Sequence, residues 1–230
     1  MPKDFKTFEQ NIGIEFNDIS LLRQAFVHRS YLNEHRGEPG GHNERLEFLG
    51  DAVLELIATH FLYEKFPDKP EGELTAYRAA LVNANTCAEL AREAGMNDFL
   101  LLSRGEAKDT GRARTILLAN AFEALVGAIY IDQGYDAAKQ FISERLFPKL
   151  DDIIEKKLWQ DAKSSLQEKA QEMTGATPMY KVLSEAGPDH AREFSVGVYV
   201  RDELMGQGQG KSKQEAEQAA AREALDKKGW

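Results

Sequence analysis

The chain has 230 residues, 42% of them hydrophobic and 29% charged, with a formal net charge of −9. That composition is of an ordinary globular protein and is long enough for one large domain or two unequal ones. The single cysteine, Cys87, excludes an internal disulfide framework and suits a reducing cytosol, so a cytoplasmic location is expected. The opening MPKDFKTFEQ is polar, and no apolar run approaches the roughly 20 residues of a spanning helix, so neither a signal peptide nor a membrane partner is expected.

The charge is unevenly spread. Residues 160–230 hold 10 Lys/Arg against 12 Asp/Glu, while the preceding residues hold 19 against 26. An acidic first part does not exclude a polyanionic partner, because local patches decide. An acidic cluster beside a polyanion implies a cation between them.

Residues 1–36 read as helices, with a turn near Gly13 and a cap at Asp18 or Ser20. His28 follows, and reads as a helix-end histidine with local hydrogen bonds. The Gly- and Pro-rich RGEPGGHN is a loop. His35 and His42 flank it without zinc-site spacing and read as solvated.

The stretch NERLEFLGDAVLEL, from Asn43 to Leu56, organises the first part. On a helix, Glu44, Glu47, Asp51 and Glu55 form one stripe. Leu46, Leu49, Val53, Leu56 and Ile57 form the face that can enter a core. Asn43 is placed to cap the helix. Phe48 breaks the pattern by projecting near the acids, and Gly50 in mid-helix costs roughly 1 kcal/mol relative to Ala. Acid stripes are ordinarily solvated faces. Locally costly choices beside clustered carboxylates point instead to a functional site.

The helix runs on to Phe66, where Pro67 and Pro70 stop it. Another helix is expected from Leu74 to about Gly95. The loop SRGEAKDTGRAR carries four cations, Arg104, Lys108, Arg112 and Arg114, and is either solvated or touches phosphates. Next, ILLANAFEALVGAIYI predicts a buried helix from Ile116 to Ile131. Asn120 and Glu123 interrupt it three residues apart, on one face. A buried glutamate is costly unless paired, protonated or metal-bound. A helix from Tyr135 to Leu150 closes the first domain. The division expected is a domain over 1–152, a linker over 153–160 and a second domain over 161–230.

The second domain changes character. A helix over Ser164–Met173, with Leu166, Ala170 and Met173 inward, precedes strands at Met179–Ser184, Glu193–Val200 and Glu203–Gly208. Gly187-Pro188 and Arg201-Asp202 supply turns, and KSKQEAEQAAAREALDKK is a strong helix former. The order gives a small α+β domain.

Two constellations carry chemistry. If the helices bearing Glu47 with Asp51 and Asn120 with Glu123 pack side by side, their oxygens converge, as a hard cation such as Mg²⁺ requires. In the second domain, Gln167 and Glu168 on the first helix are placed to meet 2′-hydroxyls. His190 lies at a loop tip, and Lys211 and Lys213 begin the last helix, where they can meet phosphate. A binder of double-stranded RNA needs these three contacts in this order.

NERLEFLGDAVLEL resembles the signature of bacterial ribonuclease III, and LLANAFEALVGAIYID resembles its second catalytic helix. SLQEKAQ, GPDH and GQGKSKQEAEQAAA resemble its double-stranded RNA-binding domain. The resemblance implies an all-α endonuclease domain followed by an α-β-β-β-α RNA-binding domain. It implies Mg²⁺ dependence, with Mn²⁺ as a substitute, and a homodimer whose two sites cut opposite strands. The products would carry 5′-phosphate and 3′-hydroxyl ends with short 3′ overhangs, made in ribosomal RNA processing and the maturation or decay of structured transcripts. Glu47, Asp51 and Glu123 match metal-binding carboxylates, Asp51 and Glu123 being the catalytic pair. Glu44 and Glu71 match assisting acids, and Phe48 matches the aromatic that enters the partner subunit. Gln167, His190, Lys211 and Lys213 match RNA-contacting positions. At Asn120, also a metal position, the family more often has Asp. That departure leaves a second expectation open, a catalytically weakened regulatory dimer that binds double-stranded RNA.

Overall fold

The computed structural model describes residues 3–37, 39–156, 158–159, 161–187 and 192–230, which fall into two compact units, 1–159 and 160–230. The first unit is helical: α1 (Phe5–Ile12), α2 (Ile19–Ala25), α3 (Arg29–Glu34), α4 (Glu44–Lys65), α5 (Glu71–Leu81), α6 (Ala84–Glu93), α7 (Arg112–Arg145) and α8 (Lys149–Glu155). Helices α4 and α7 pack along each other at its centre, and α2 and α6 pack on α7.

Helix α4 buries Leu46, Val53, Leu54, Ile57, Ala58 and Leu62. Leu56, expected in the core, is 58% exposed. It lies roughly 100° from both Ile57 and the midpoint of Val53 and Leu54, off the buried arc. Nor does Asn43 cap α4 with its side chain. Its amide donates to the Ala25 carbonyl and its N–H to that of Val27, which ties the start of α4 to the end of α2.

The expected helix over 74–95 is two helices. Asn83 adopts an extended conformation, and its Oδ1 accepts from the N–H groups of Asn85 and Thr86. An N-cap of this strength starts a new helix. Helix α7 begins at Arg112, so Arg112 and Arg114 ride on its first turn. It passes through a break at Gly134, whose φ of 85° favours glycine, and ends at Arg145. Pro148 then leads into the separate α8, which buries Leu150 and Ile153. By length and composition α7 could cross a membrane, but most of its apolar stretch is buried inside the unit. Trp159, just before the division, packs edge-on against Tyr77, with ring centroids 4.8 Å apart.

The second unit runs α9 (Ala162–Thr174), β1 (Met179–Ala186), β2 (Glu193–Val200), β3 (Glu203–Gly210) and α10 (Lys213–Lys228). The sheet is antiparallel in the order β1-β2-β3. Arg201 and Asp202, both with positive φ, make the tight turn between β2 and β3. Leu166 and Ala170 meet Val198, Val200 and Met205 of the sheet and the alanines of α10. Met173, expected inward, is 62% exposed in the last turn of α9.

Candidate active site

The site begins with two glycines. A Cβ on Gly50 would lie 1.8 Å from the Glu123 carbonyl oxygen, and one on Gly127 would lie 2.2 Å from that of Leu46. The backbones of α4 and α7 therefore touch, and no larger residue fits at either position. Gly50 costs helix stability and returns close packing. Around the glycines lie the four polar residues: on α4, Glu47 is one turn before Gly50 and Asp51 directly follows it; on α7, Glu123 is one turn and Asn120 two turns before Gly127. The contact presses these four together.

Their electrostatics follow from the crowding. Burial, then the charge of Asp51, then that of Glu47 push the Glu123 carboxyl from 4.5 up to about 7. Glu47 is also raised, by burial first and then by Glu44 and Asp51. The Asn120 side chain opposes that rise by hydrogen-bonding Glu47. Among the described residues, no Lys, Arg or His pairs with Glu47, Asp51 or Glu123. Behind them, Cys87 is buried and its thiol is pushed up to about 12 by burial, Glu123 and Asp51, which keeps it neutral and inert.

The donors are all oxygens, and their mutual repulsion is not neutralised from within. Both properties fit a hard divalent cation. Among the described residues, no three His, Cys, Asp or Glu side chains form, as they stand, a group that could hold a metal ion. A cation that retains several waters needs fewer protein ligands at once. Asn120 has a carbonyl oxygen that it can offer as a ligand while its amide group faces Glu47.

The other expected site residues separate around this cluster. Glu44 sits on its rim, 3.4 Å from Arg29 and 3.7 Å from His42. Glu71 is exposed at the first residue of α5 and is not among the charges that shift Glu47 or Glu123. Glu55 turns away to Arg78, at 3.4 Å. Phe48 is 82% exposed and lines an open groove of about 570 Å³ with Leu21, Leu46, Leu49 and Ile131, rimmed by the polar Gln24, His42, Glu44 and Arg45. His28, read as a helix-end residue, caps α3 through Ser30 and also lines a cavity with Glu47. Its position near the acids had no signal in the sequence, because α3 and α4 are joined by a loop.

In the second unit, Gln167 and Glu168 are exposed on α9. Lys211 and Lys213 are exposed at the start of α10, where Ser212 caps the helix and Glu215 accepts from the Lys211 N–H. His190 lies outside the described residues.

A helical unit with paired oxygen donors, followed by an α-β-β-β-α unit with lysines at a helix start, defines a class: a nuclease joined to a module for RNA duplexes. The family comparisons give that class its members. Residues 18–150 match the ribonuclease-III-like family model, and residues 162–228 match the double-stranded RNA binding motif. The chain is 48% identical over 225 residues to ribonuclease 3 of Bacillus licheniformis, covering 98% of this chain and 90% of that one. It is 48% identical over 218 residues to ribonuclease 3 of Enterococcus faecalis, covering 94% of each. The solved nuclease domain of a Campylobacter jejuni ribonuclease III, described for flexibility in a region involved in dimer formation, superposes with a TM-score of 0.56. That match has 38% identity over 63% of this chain and 99% of that one. The chain belongs to the ribonuclease III family, and it is an endoribonuclease that acts on double-stranded RNA.

Proposed function

We propose that this endoribonuclease is Mg²⁺-dependent, with Mn²⁺ as a substitute, and that Glu47, Asp51, Glu123 and the Asn120 carbonyl hold the cation. The observation that carries this reading is the set of four oxygen-bearing side chains brought together beside the Gly50–Gly127 contact, with no Lys, Arg or His paired to its carboxylates among the described residues. When bound, the cation neutralises charge developing on the phosphate and supports hydrolysis at neutral pH. The chain contributes position. Glu47 and Asp51, on one rigid helix, and Glu123, on another, keep the donors fixed before substrate arrives. Glu44, on the rim, assists, and Glu71 acts in substrate handling from the start of α5.

Phe48 fits the groove beside it on a second copy, so a two-fold homodimer is the assembly we infer. Two such sites cutting opposite strands give 5′-phosphate and 3′-hydroxyl ends with short 3′ overhangs. Gln167 and Glu168 meet 2′-hydroxyls, while His190, Lys211 and Lys213 bind the duplex on either side. The setting we infer is cytoplasmic processing of ribosomal RNA and structured transcripts.

A regulatory dimer that binds without cutting is the second reading, favoured by the amide at Asn120. Incubating an RNA duplex with the chain and with Asn120→Asp, in Mg²⁺, Mn²⁺ or chelator, separates the two. Cation-dependent cleavage by the parent supports the enzyme with its cation. Silence of the parent beside an active Asp variant supports the binder.

A further inference from the structure

A small cavity of about 40 Å³ has Glu47, Glu44, Asn120, His28 and Asn43 as its polar lining. A buried water needs about 10–15 Å³ and two to four polar partners, so this space suits one or more ordered waters. The His28 ring is fixed through one nitrogen. Nδ1 accepts from the Ser30 N–H at 3.3 Å and lies 2.8 Å from the Ser30 hydroxyl, whose oxygen accepts from the Ser103 N–H. With Nδ1 accepting, the neutral ring carries its proton on Nε2, which has no hydrogen-bond partner among the described residues. The segment behind the ring is held by the His28 N–H to the Leu101 carbonyl, at 3.0 Å.

We propose that His28 is a positioning residue for the candidate cation site, donating from Nε2 to cavity water that in turn hydrogen-bonds Glu47. This rests on Glu47 being a cation ligand. It extends the support of that ligand beyond the Asn120 contact, as outer hydrogen bonds orient ligands in metal centres generally. Partial burial holds the His28 pKa below its ordinary value, which agrees with a neutral ring.

The test separates the two faces of the ring. Asn at position 28 can keep the cap on α3, as Asn83 does for α6, but is too short to supply the Nε2 donor. Mn²⁺ binding without RNA is measured by calorimetry for the parent, His28→Asn and Ser30→Ala, beside thermal melting. The expected result is a roughly tenfold weaker affinity in His28→Asn with a parent-like melting curve, and a smaller loss in Ser30→Ala, which frees the ring. Parent-like Mn²⁺ affinity in both variants would overturn the proposal. So would loss of affinity only in step with loss of melting temperature. A parent that binds no Mn²⁺ would overturn the reading of the cation site itself.

Discussion

Both units of this protein place a functional edge by letting a helix rest on glycine backbone, but to opposite ends. In the first, Gly50 and Gly127 bring two helices into backbone contact and force carboxylates together at an energetic cost. In the second, Gly206 and Gly208 of β3 lie under α10, where a Cβ would come within 2.5 Å and 2.2 Å of the Ala220 backbone. There the contact stabilises a small alanine-faced core and leaves Lys211 and Lys213 in solvent. A cation site needs like charges held together before the ligand arrives. A phosphate-binding edge needs only exposed charge on a rigid frame.

The largest effect should come from breaking the first contact. Gly50→Ala places a methyl group against the Glu123 carbonyl and should destabilise the first unit by about 3 kcal/mol, with loss of cleavage. Gly208→Ala should instead abolish duplex binding while Mn²⁺ binding by the first unit persists. Melting curves, Mn²⁺ titration and duplex binding on both variants check this contrast. If Gly208→Ala also lost Mn²⁺ binding, the two contacts would not be independent.

Glu123→Gln should leave both folds and RNA binding intact while lowering cleavage about a thousandfold, the equivalent of several kcal/mol of lost charge stabilisation. The same residue predicts a pH dependence. Its carboxyl binds a proton more tightly folded, at about 7, than unfolded, near 4.5. Between those values the folded state holds more protons, so stability of the metal-free protein falls as pH rises through that window and levels off above it. Divalent cation should offset the fall, and Glu123→Gln should remove that contribution to the slope. Thermal melting from pH 4 to pH 8, with and without Mg²⁺, reads both.

Asn120→Asp sharpens the comparison from the other side. It adds a fourth carboxylate and removes the amide beside Glu47, so the metal-free protein should be less stable and Mn²⁺ affinity roughly tenfold higher, the equivalent of about 1.4 kcal/mol. Lys211→Ala and Lys213→Ala should have the smallest effect, each weakening duplex binding similarly across sequences and lowering the salt slope by about one. A strongly sequence-dependent loss would contradict a phosphate role.

Much of this was legible in the chain. The spacing of apolar residues marked α4 and the core of α7, and the motifs around Glu47, Asp51 and Glu123 pointed to the family. What periodicity could not show was where packing overrode it. Asn83 splits a continuous helical pattern because its side chain satisfies two N–H groups at once. Asn43 looks like a cap but serves a tertiary tie to α2. Gly50 was readable as a cost, while its benefit depends on Gly127, more than seventy residues away. The setting of His28 in one cavity with Glu47 is likewise a long-range fact with no local pattern.

The central claim is that the carboxylates at the Gly50–Gly127 contact form a cation-dependent site for cutting RNA duplexes. The most direct measurement is cleavage of an end-labelled RNA duplex by the parent and by Glu123→Gln, in Mg²⁺ and in chelator. The account predicts cutting by the parent in Mg²⁺ alone and duplex binding without cutting by the variant. Near-normal cutting by Glu123→Gln, or by the parent in chelator, would contradict it.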